Sequence, residues 1–267
     1  MNTGVCRLVD THAHLDEIED LDEVLEEARR VGLIAVVAVG QGYESNLKVL
    51  EISEKHRSFV YPALGLHPWE VGRTDACESA ANLQLIEDNI QTVVAIGEIG
   101  LDYHKKVRAL ASKEQQKEAC RTMLELAKKH DRPAIIHSRY AWKDSFDLVQ
   151  EVGVKKVVFH WYTGVSSVLR EILAAGYFIS ATPATEYHEE HRRAVKEAPM
   201  EKLLLETDSP VYYGRETRYR SCPSDVARSL GAVALLKGVE KGVIAQETTS
   251  NALRLFGLAC PPANSMR

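Results

Sequence analysis

Eight short apolar, β-branched runs alternate with amphipathic stretches along a chain of 267 residues, and this alternation leaves few folds open. The runs are LVDTHAH from Leu8, AVVAVG from Ala35, VYPALGLHP from Val60, VVAIGEIG from Val93, PAIIHS from Pro133, KVVFHW from Lys156, YFISATPA from Tyr177 and LLLETDSP from Leu203. Apolar residues at consecutive positions, rather than at every second one, suit strands covered on both faces, as in a parallel sheet. The intervening spacing predicts helices. LDEVLEEARRVG from Leu21 ends in glycine after basic residues, and Ser112 stands as a cap before KEQQKEACRTMLELAKKH. SSVLREILAAG from Ser166 stops at Gly176, and SDVARSLGAVALLKG and AQETTSNALRLFG follow the eighth run. Strict alternation predicts an α/β fold. The length is that of one (β/α)8 TIM barrel, read as a single domain over residues 1–267, with 258–267, including Pro261 and Pro262, as a frayed tail.

An open doubly wound sheet also holds eight strands, but it gathers its ligand at one switch point. A barrel collects residues from the ends of many strands at one mouth. Here the first run ends in His12 and His14, the third in His67, the fourth in Glu98 and the fifth in His137. The sixth ends in His160 and the eighth in Glu206 and Asp208. Singly, each has an ordinary reading: a hydrogen-bonded barrel histidine, a packed carboxylate, an aspartate capping a turn. Together they place ligand-type residues at one edge of strand after strand, which favours the barrel. Four histidines and two carboxylates exceed what one tetrahedral ion needs. Divided, His12, His14 and Asp208 would hold one divalent ion and His137 and His160 a second, with Glu98 giving one oxygen to each. Imidazole-rich ligands favour Zn, Mn, Fe or Co over an all-oxygen Mg cage, and the sequence leaves the native ion open.

Composition narrows the function classes. With 45% hydrophobic residues the chain can bury a large core without staples, so a metal is expected to be functional. Five cysteines without a CxxC indicate neither a disulfide framework nor a zinc ribbon. No signal-peptide pattern and no membrane-length apolar run occurs, and the expected location is cytoplasmic. A net charge of −5 argues against wrapping nucleic acid by counterion release. DNA or a small phosphodiester would be met locally, at the metals and a few arginines. No obligate protein partner is indicated.

The motif VDTHAHLD resembles the opening signature of the TatD-related hydrolases of the amidohydrolase superfamily. GLHPW, GEIGLDYH, IIHSR, FHWYTG and LLLETDSP resemble that family's later signatures in the same order, and NALRLFG fits near the end. The resemblance runs from Val9 to Phe256. It implies a distorted barrel, a di-metal site held by His12, His14, Glu98, His137, His160 and Asp208, and metal-dependent deoxyribonuclease activity, as a 3′ exonuclease or at damaged sites. Related branches bridge their metals with a carboxylated lysine; Glu98 at the fourth strand favours the TatD branch. One departure is clear. Where many relatives carry Arg-Asn-Glu-Pro after the eighth strand, this chain reads VYYGRETRYRSCPSDV.

The expected reaction is phosphodiester hydrolysis, with Glu98 bridging the ions and Asp208 as proton acceptor. His67 and Arg139 are candidates to hold the non-bridging oxygens, although Arg139 also suits a salt bridge at the barrel rim. Glu206 would orient a ligand histidine beside the substrate. Arg218 and Arg220, interleaved with Tyr212, Tyr213 and Tyr219, would hold a nucleic-acid strand by charge and stacking. The alternative is that these tyrosines pack and the arginines sit in solvent. KKVR at 105–108 reads as a solvated loop. Two other functions fit the same residues: hydrolysis of a cyclic amide, lactone or phosphotriester, and a non-catalytic metal-binding barrel.

Overall fold

The computed structural model describes residues 6–259. Its strands are β1 (Leu8–Ala13), β2 (Leu33–Val39), β3 (Val60–Leu64), β4 (Ala95–Asp102), β5 (Ala134–Arg139), β6 (Val157–Phe159), β7 (Phe178–Ala181) and β8 (Leu203–Leu205). They lie side by side in that order, each parallel to the next. Between them run α1 (Leu21–Arg30), α2 (Tyr43–Lys55), α3 (Pro68–Val71), α4 (Ala76–Asp88), α5 (Lys105–Arg108), α6 (Lys113–Lys129), α7 (Trp142–Val152), α8 (Ser166–Ala174) and α9 (Glu189–Glu197). A two-stranded hairpin of β9 (Tyr212–Tyr213) and β10 (Tyr219–Arg220) precedes the closing helices α10 (Val226–Lys237) and α11 (Lys241–Phe256). This is a (β/α)8 barrel.

Successive strand residues divide between two apolar clusters, as a period of two requires. Val9, Val37, Ala63, Ala95, Ile135, Val158 and Leu204 line the barrel interior. Val36, Leu64, Ile96, Ile136, Phe159 and Leu205 lie under the helices. Covering both faces explains the near-continuous apolar runs. Ala252, Leu255 and Phe256 of α11 pack on the interior cluster. Ser112 caps α6 as expected, within a capping box completed by Gln115. No helix among the described residues is long and apolar enough to cross a membrane.

Three expectations are corrected. The segment KKVR forms the short helix α5, because His104 caps its start through Nδ1. The stretch after the eighth strand contains a hairpin, closed by Gly214 at φ 99°, a backbone region that L side chains rarely adopt. The tail does not fray at 258: Leu258 is buried against the interior cluster and its amide donates to the Leu253 carbonyl at 3.0 Å. Residues 260–267 of that tail lie outside the described residues.

At the seam between β8 and β1 the chain makes a bridge of Ala13 with Ser209. The Asp208 amide donates to the His12 carbonyl at 2.8 Å, and the His14 amide to the Ser209 carbonyl at 2.7 Å. Buried Asp10 accepts from the Thr207 amide at 2.9 Å and the Thr207 hydroxyl at 2.6 Å. The seam therefore fixes His12 and His14 relative to Asp208.

Candidate metal centre

His12 and His14 lie two apart at the end of β1, so both aim the same way, with Nε2 atoms 3.3 Å apart. Glu98 Oε2 is 3.3 Å from His12 Nε2 and 3.4 Å from His14 Nε2. Asp208 Oδ1 is 3.5 and 3.3 Å from the same two nitrogens. The other oxygen of Glu98, Oε1, lies 2.8 Å from His137 Nδ1 and 2.8 Å from His160 Nε2. Those two nitrogens are 3.4 Å apart. Each oxygen of one carboxylate thus faces its own group of donors. Glu98 stands in mid-strand on β4, not at its end, because β4 continues to Asp102. It can do so because Gly100, at φ 144°, lets β4 approach β5 where a Cβ would collide with the His137 carbonyl.

The donor spacing fits metal ions. Four donors about 2.1 Å from a common centre are roughly 3.4 Å apart along tetrahedral edges. The His12, His14, Glu98 and Asp208 atoms have that separation. The tautomers fit as well. His14 Nδ1 is 3.0 Å from the Val39 carbonyl, which can only accept, so Nδ1 carries the proton and Nε2 the free lone pair. His137 turns Nε2 to Asp102 Oδ2 at 3.3 Å, leaving Nδ1 for the Glu98 side. His160 turns Nδ1 to Glu206 Oε1 at 3.6 Å. Histidines that ligate metals are oriented in this way by carboxylates and carbonyls.

Charge in the cluster follows from proximity. Burial opposes a charge on His14, but the bond to Asp208 and the nearby Glu98 outweigh it and hold its pKa up to about 9. His160 is raised for the same reason by Glu98 and Glu206, against its burial. Burial would raise Glu98, yet His160, His67 and His12 hold it well below the usual carboxylate range. Asp208 is likewise lowered despite burial, by His14, His12 and His160. Four anionic oxygens facing a nest of imidazoles is a set that cations or protons must neutralise.

The remaining expected residues divide. His67 is buried and stands beside Glu98 Oε1 at 3.5 Å. Its Nδ1 accepts the Trp69 amide at 3.1 Å, and burial lowers its pKa to about 4, so a neutral ring presents Nε2–H to the site. Arg139 reaches the same cavity, but its guanidinium is engaged by Asp102, Nη2 at 2.7 Å and Nε at 3.0 Å. That is the rim salt bridge the sequence allowed. Glu206 is buried, with Oε1 accepting the Trp161 amide at 2.9 Å. Neither Arg218 nor Arg220 lines the cavity. Arg220 donates to the Glu17 carbonyl at 2.7 Å, and Arg218 lies over the Tyr212 ring at 5.5 Å. Tyr213 is buried, its hydroxyl on the Thr207 carbonyl at 2.7 Å, so part of that loop packs rather than facing a ligand.

Sequence reasoning missed Asp102. Fully buried, it gathers His137, Arg139 and the Trp69 indole N–H, the last at 2.7 Å. Its pKa lies far below the usual carboxylate range despite its burial, held there by His137 and Arg139. The available signal was spacing: Glu98, Gly100 and Asp102 alternate along one strand face. Also missed were Tyr140 and Trp161, which line the mouth at φ 58° and 39°, a backbone region unusual for non-glycine residues. The donors open into one cavity of about 710 Å³.

Comparison with known proteins agrees with this geometry. The family model of TatD related DNase matches residues 9–257. The chain is 35% identical over 260 residues to the Deoxyribonuclease TATDN3 of Homo sapiens, covering 93% of this chain and 94% of that protein. It is 36% identical to a metal-dependent hydrolase of Bacillus subtilis, YabD, over 93% of this chain and 98% of the other. The crystal structure of a TatD homolog from Escherichia coli, YJJV, superposes with a TM-score of 0.87 at 27% identity, covering 96% of this chain and all 100% of that one. A match over nearly the whole length, in sequence and in fold, makes this chain a member of the TatD-related DNase family.

Proposed function

We propose that the protein is a divalent-metal-dependent phosphodiesterase that hydrolyses DNA, using two ions held on either side of Glu98. The observation that carries this is the division of Glu98, with Oε2 toward His12, His14 and Asp208 and Oε1 toward His137 and His160. The names of the relatives, a deoxyribonuclease and a metal-dependent hydrolase, support the same chemistry. When bound, the ions would lower the pKa of water and neutralise charge on the phosphoryl oxygens. Asp208, ionised because its pKa is lowered, accepts the proton as the P–O bond to water forms and the bond to the leaving oxygen breaks. His67 offers Nε2–H to a non-bridging oxygen. Arg139, held flat by Asp102, keeps a cation beside it. Glu206 holds His160 in its ligating orientation. The unpaired Cys6, Cys77, Cys120 and Cys222 fit a reducing cytoplasm.

The test is to strip the protein with EDTA, restore Mg²⁺, Mn²⁺, Co²⁺ or Zn²⁺ separately, and assay a DNA oligonucleotide beside a lactone panel. Cleavage of the oligonucleotide should vanish on stripping and return with at least one ion. Turnover of a lactone with no DNA cleavage under any ion would replace this reading with the lactonase one.

A further inference from the structure

The chain has three tryptophans, and all three, Trp69, Trp142 and Trp161, line the cavity that holds the metal donors. Tyr140 joins them and is 61% exposed, with Trp69 at 39%. Large aromatic surfaces left in water at a cavity mouth signal a ligand with a matching face. These rings are not idle packing residues. Trp69 is fixed by its indole N–H on Asp102 and carries the Arg139 guanidinium 5.5 Å over its face. Tyr140 stands edge-on to Trp142, with centroids 6.1 Å apart, and projects from a left-handed backbone position. The wall is therefore built before any ligand arrives.

Charge points to the kind of ligand. Arg139 is the one Lys or Arg lining the cavity among the described residues, and Asp102 already neutralises it. Glu17 and Glu190 lie on the same lining. An extended polyanion finds no basic track here, so affinity for a nucleic acid must come from its bases. We propose that Trp69 and Tyr140 form a sequence-independent stacking site for an unpaired nucleobase next to the phosphodiester being cleaved. A base inside a duplex has both faces covered by its neighbours and cannot use this wall. The site thus selects single strands, frayed ends or flipped nucleotides. The choice of ligand rests on the phosphodiesterase reading above.

Because every tryptophan borders the cavity, intrinsic fluorescence reports on it directly. Metal-stripped protein, which cannot turn over, is titrated with oligo(dT) and with a backbone of equal length built from abasic tetrahydrofuran units. Oligo(dT) should quench the fluorescence and bind at least fivefold tighter than the abasic backbone, and a matched duplex should not compete. Tyr140→Ala should weaken oligo(dT) binding roughly five- to hundred-fold, the range for one stacked base, and leave abasic binding unchanged. Tyr140→Phe should restore wild-type affinity. Equal binding of the two single strands, or an unaltered Tyr140→Ala, overturns the stacking site. Base-dependent quenching without cleavage under any metal would keep the stacking site and overturn only the hydrolytic reading.

Discussion

Glu206 shows how much a single carboxylate can settle. His12 and His160 are stacked, with centroids 4.1 Å and planes 12° apart, and both turn Nε2 toward Glu98. Their Nδ1 atoms and Glu206 Oε2 find no hydrogen-bond partner among the described residues. His12, His160 and Glu206 would by geometry suffice as a further ion site. Proton counting argues otherwise. A neutral imidazole has one free lone pair, so an Nε2 that ligates leaves Nδ1 protonated. Glu206 therefore meets N–H donors and orients histidines of both halves of the centre. Glu206→Gln should weaken the binding of both ions, about 10- to 100-fold, measured by chelator competition. Loss at one ion alone would show that it serves only His160. Asp208→Asn, which keeps shape but not charge, should slow cleavage about 10²- to 10⁴-fold, and a rate within threefold of wild type would remove its proton-accepting role. The histidines were legible because ligands two apart on an apolar strand stand out. Asp102 was not, since an aspartate in GLDYH reads equally as a turn residue until the strand is seen to run through it.

At the scale of elements, the eight strands were readable because barrel strands are apolar on both faces. Their ends were less so. Strand β8 is only Leu203–Leu205, and Glu206 and Asp208 lie beyond it, positioned by the seam rather than by a ladder. The seam is carried by Asp10, whose burial raises its carboxyl well above the usual range against the Thr207 hydrogen bonds that lower it. Asp10→Ala would leave the Thr207 amide and hydroxyl buried without that partner, at a cost of about 1–3 kcal/mol. The melting temperature of the metal-free protein should fall by roughly 3–10 °C, and metal affinity should fall with it as β1 and β8 separate. An unchanged melting temperature would show that the bridge and backbone bonds alone hold the seam. The hairpin β9–β10 was missed because alternating Tyr and Arg suit an exposed strand and a binding loop alike.

For the whole molecule, an acidic chain concentrates its cationic capacity in one buried place. In metal-stripped protein His14, raised to about 9, holds a proton at neutral pH that an incoming ion must displace. Metal affinity should rise with pH, by about tenfold per unit for one displaced proton, and level off above about 9. The same proton stabilises the metal-free fold. Its contribution is complete below an unfolded imidazole value of about 6.5 and fades as pH rises through about 9. A metal affinity flat between pH 6.5 and 8.5 would show that His14 is already neutral. The central claim is that two ions share Glu98 and that both are needed to cleave DNA. Its most direct test is to add metal to stripped protein in measured equivalents, following bound metal by elemental analysis and cleavage of a single-stranded oligonucleotide in the same samples. The account predicts saturation at two ions per chain, cleavage that starts with the second equivalent, and loss of both in Glu98→Gln. Full cleavage at one equivalent, or cleavage that persists in excess chelator, would contradict it.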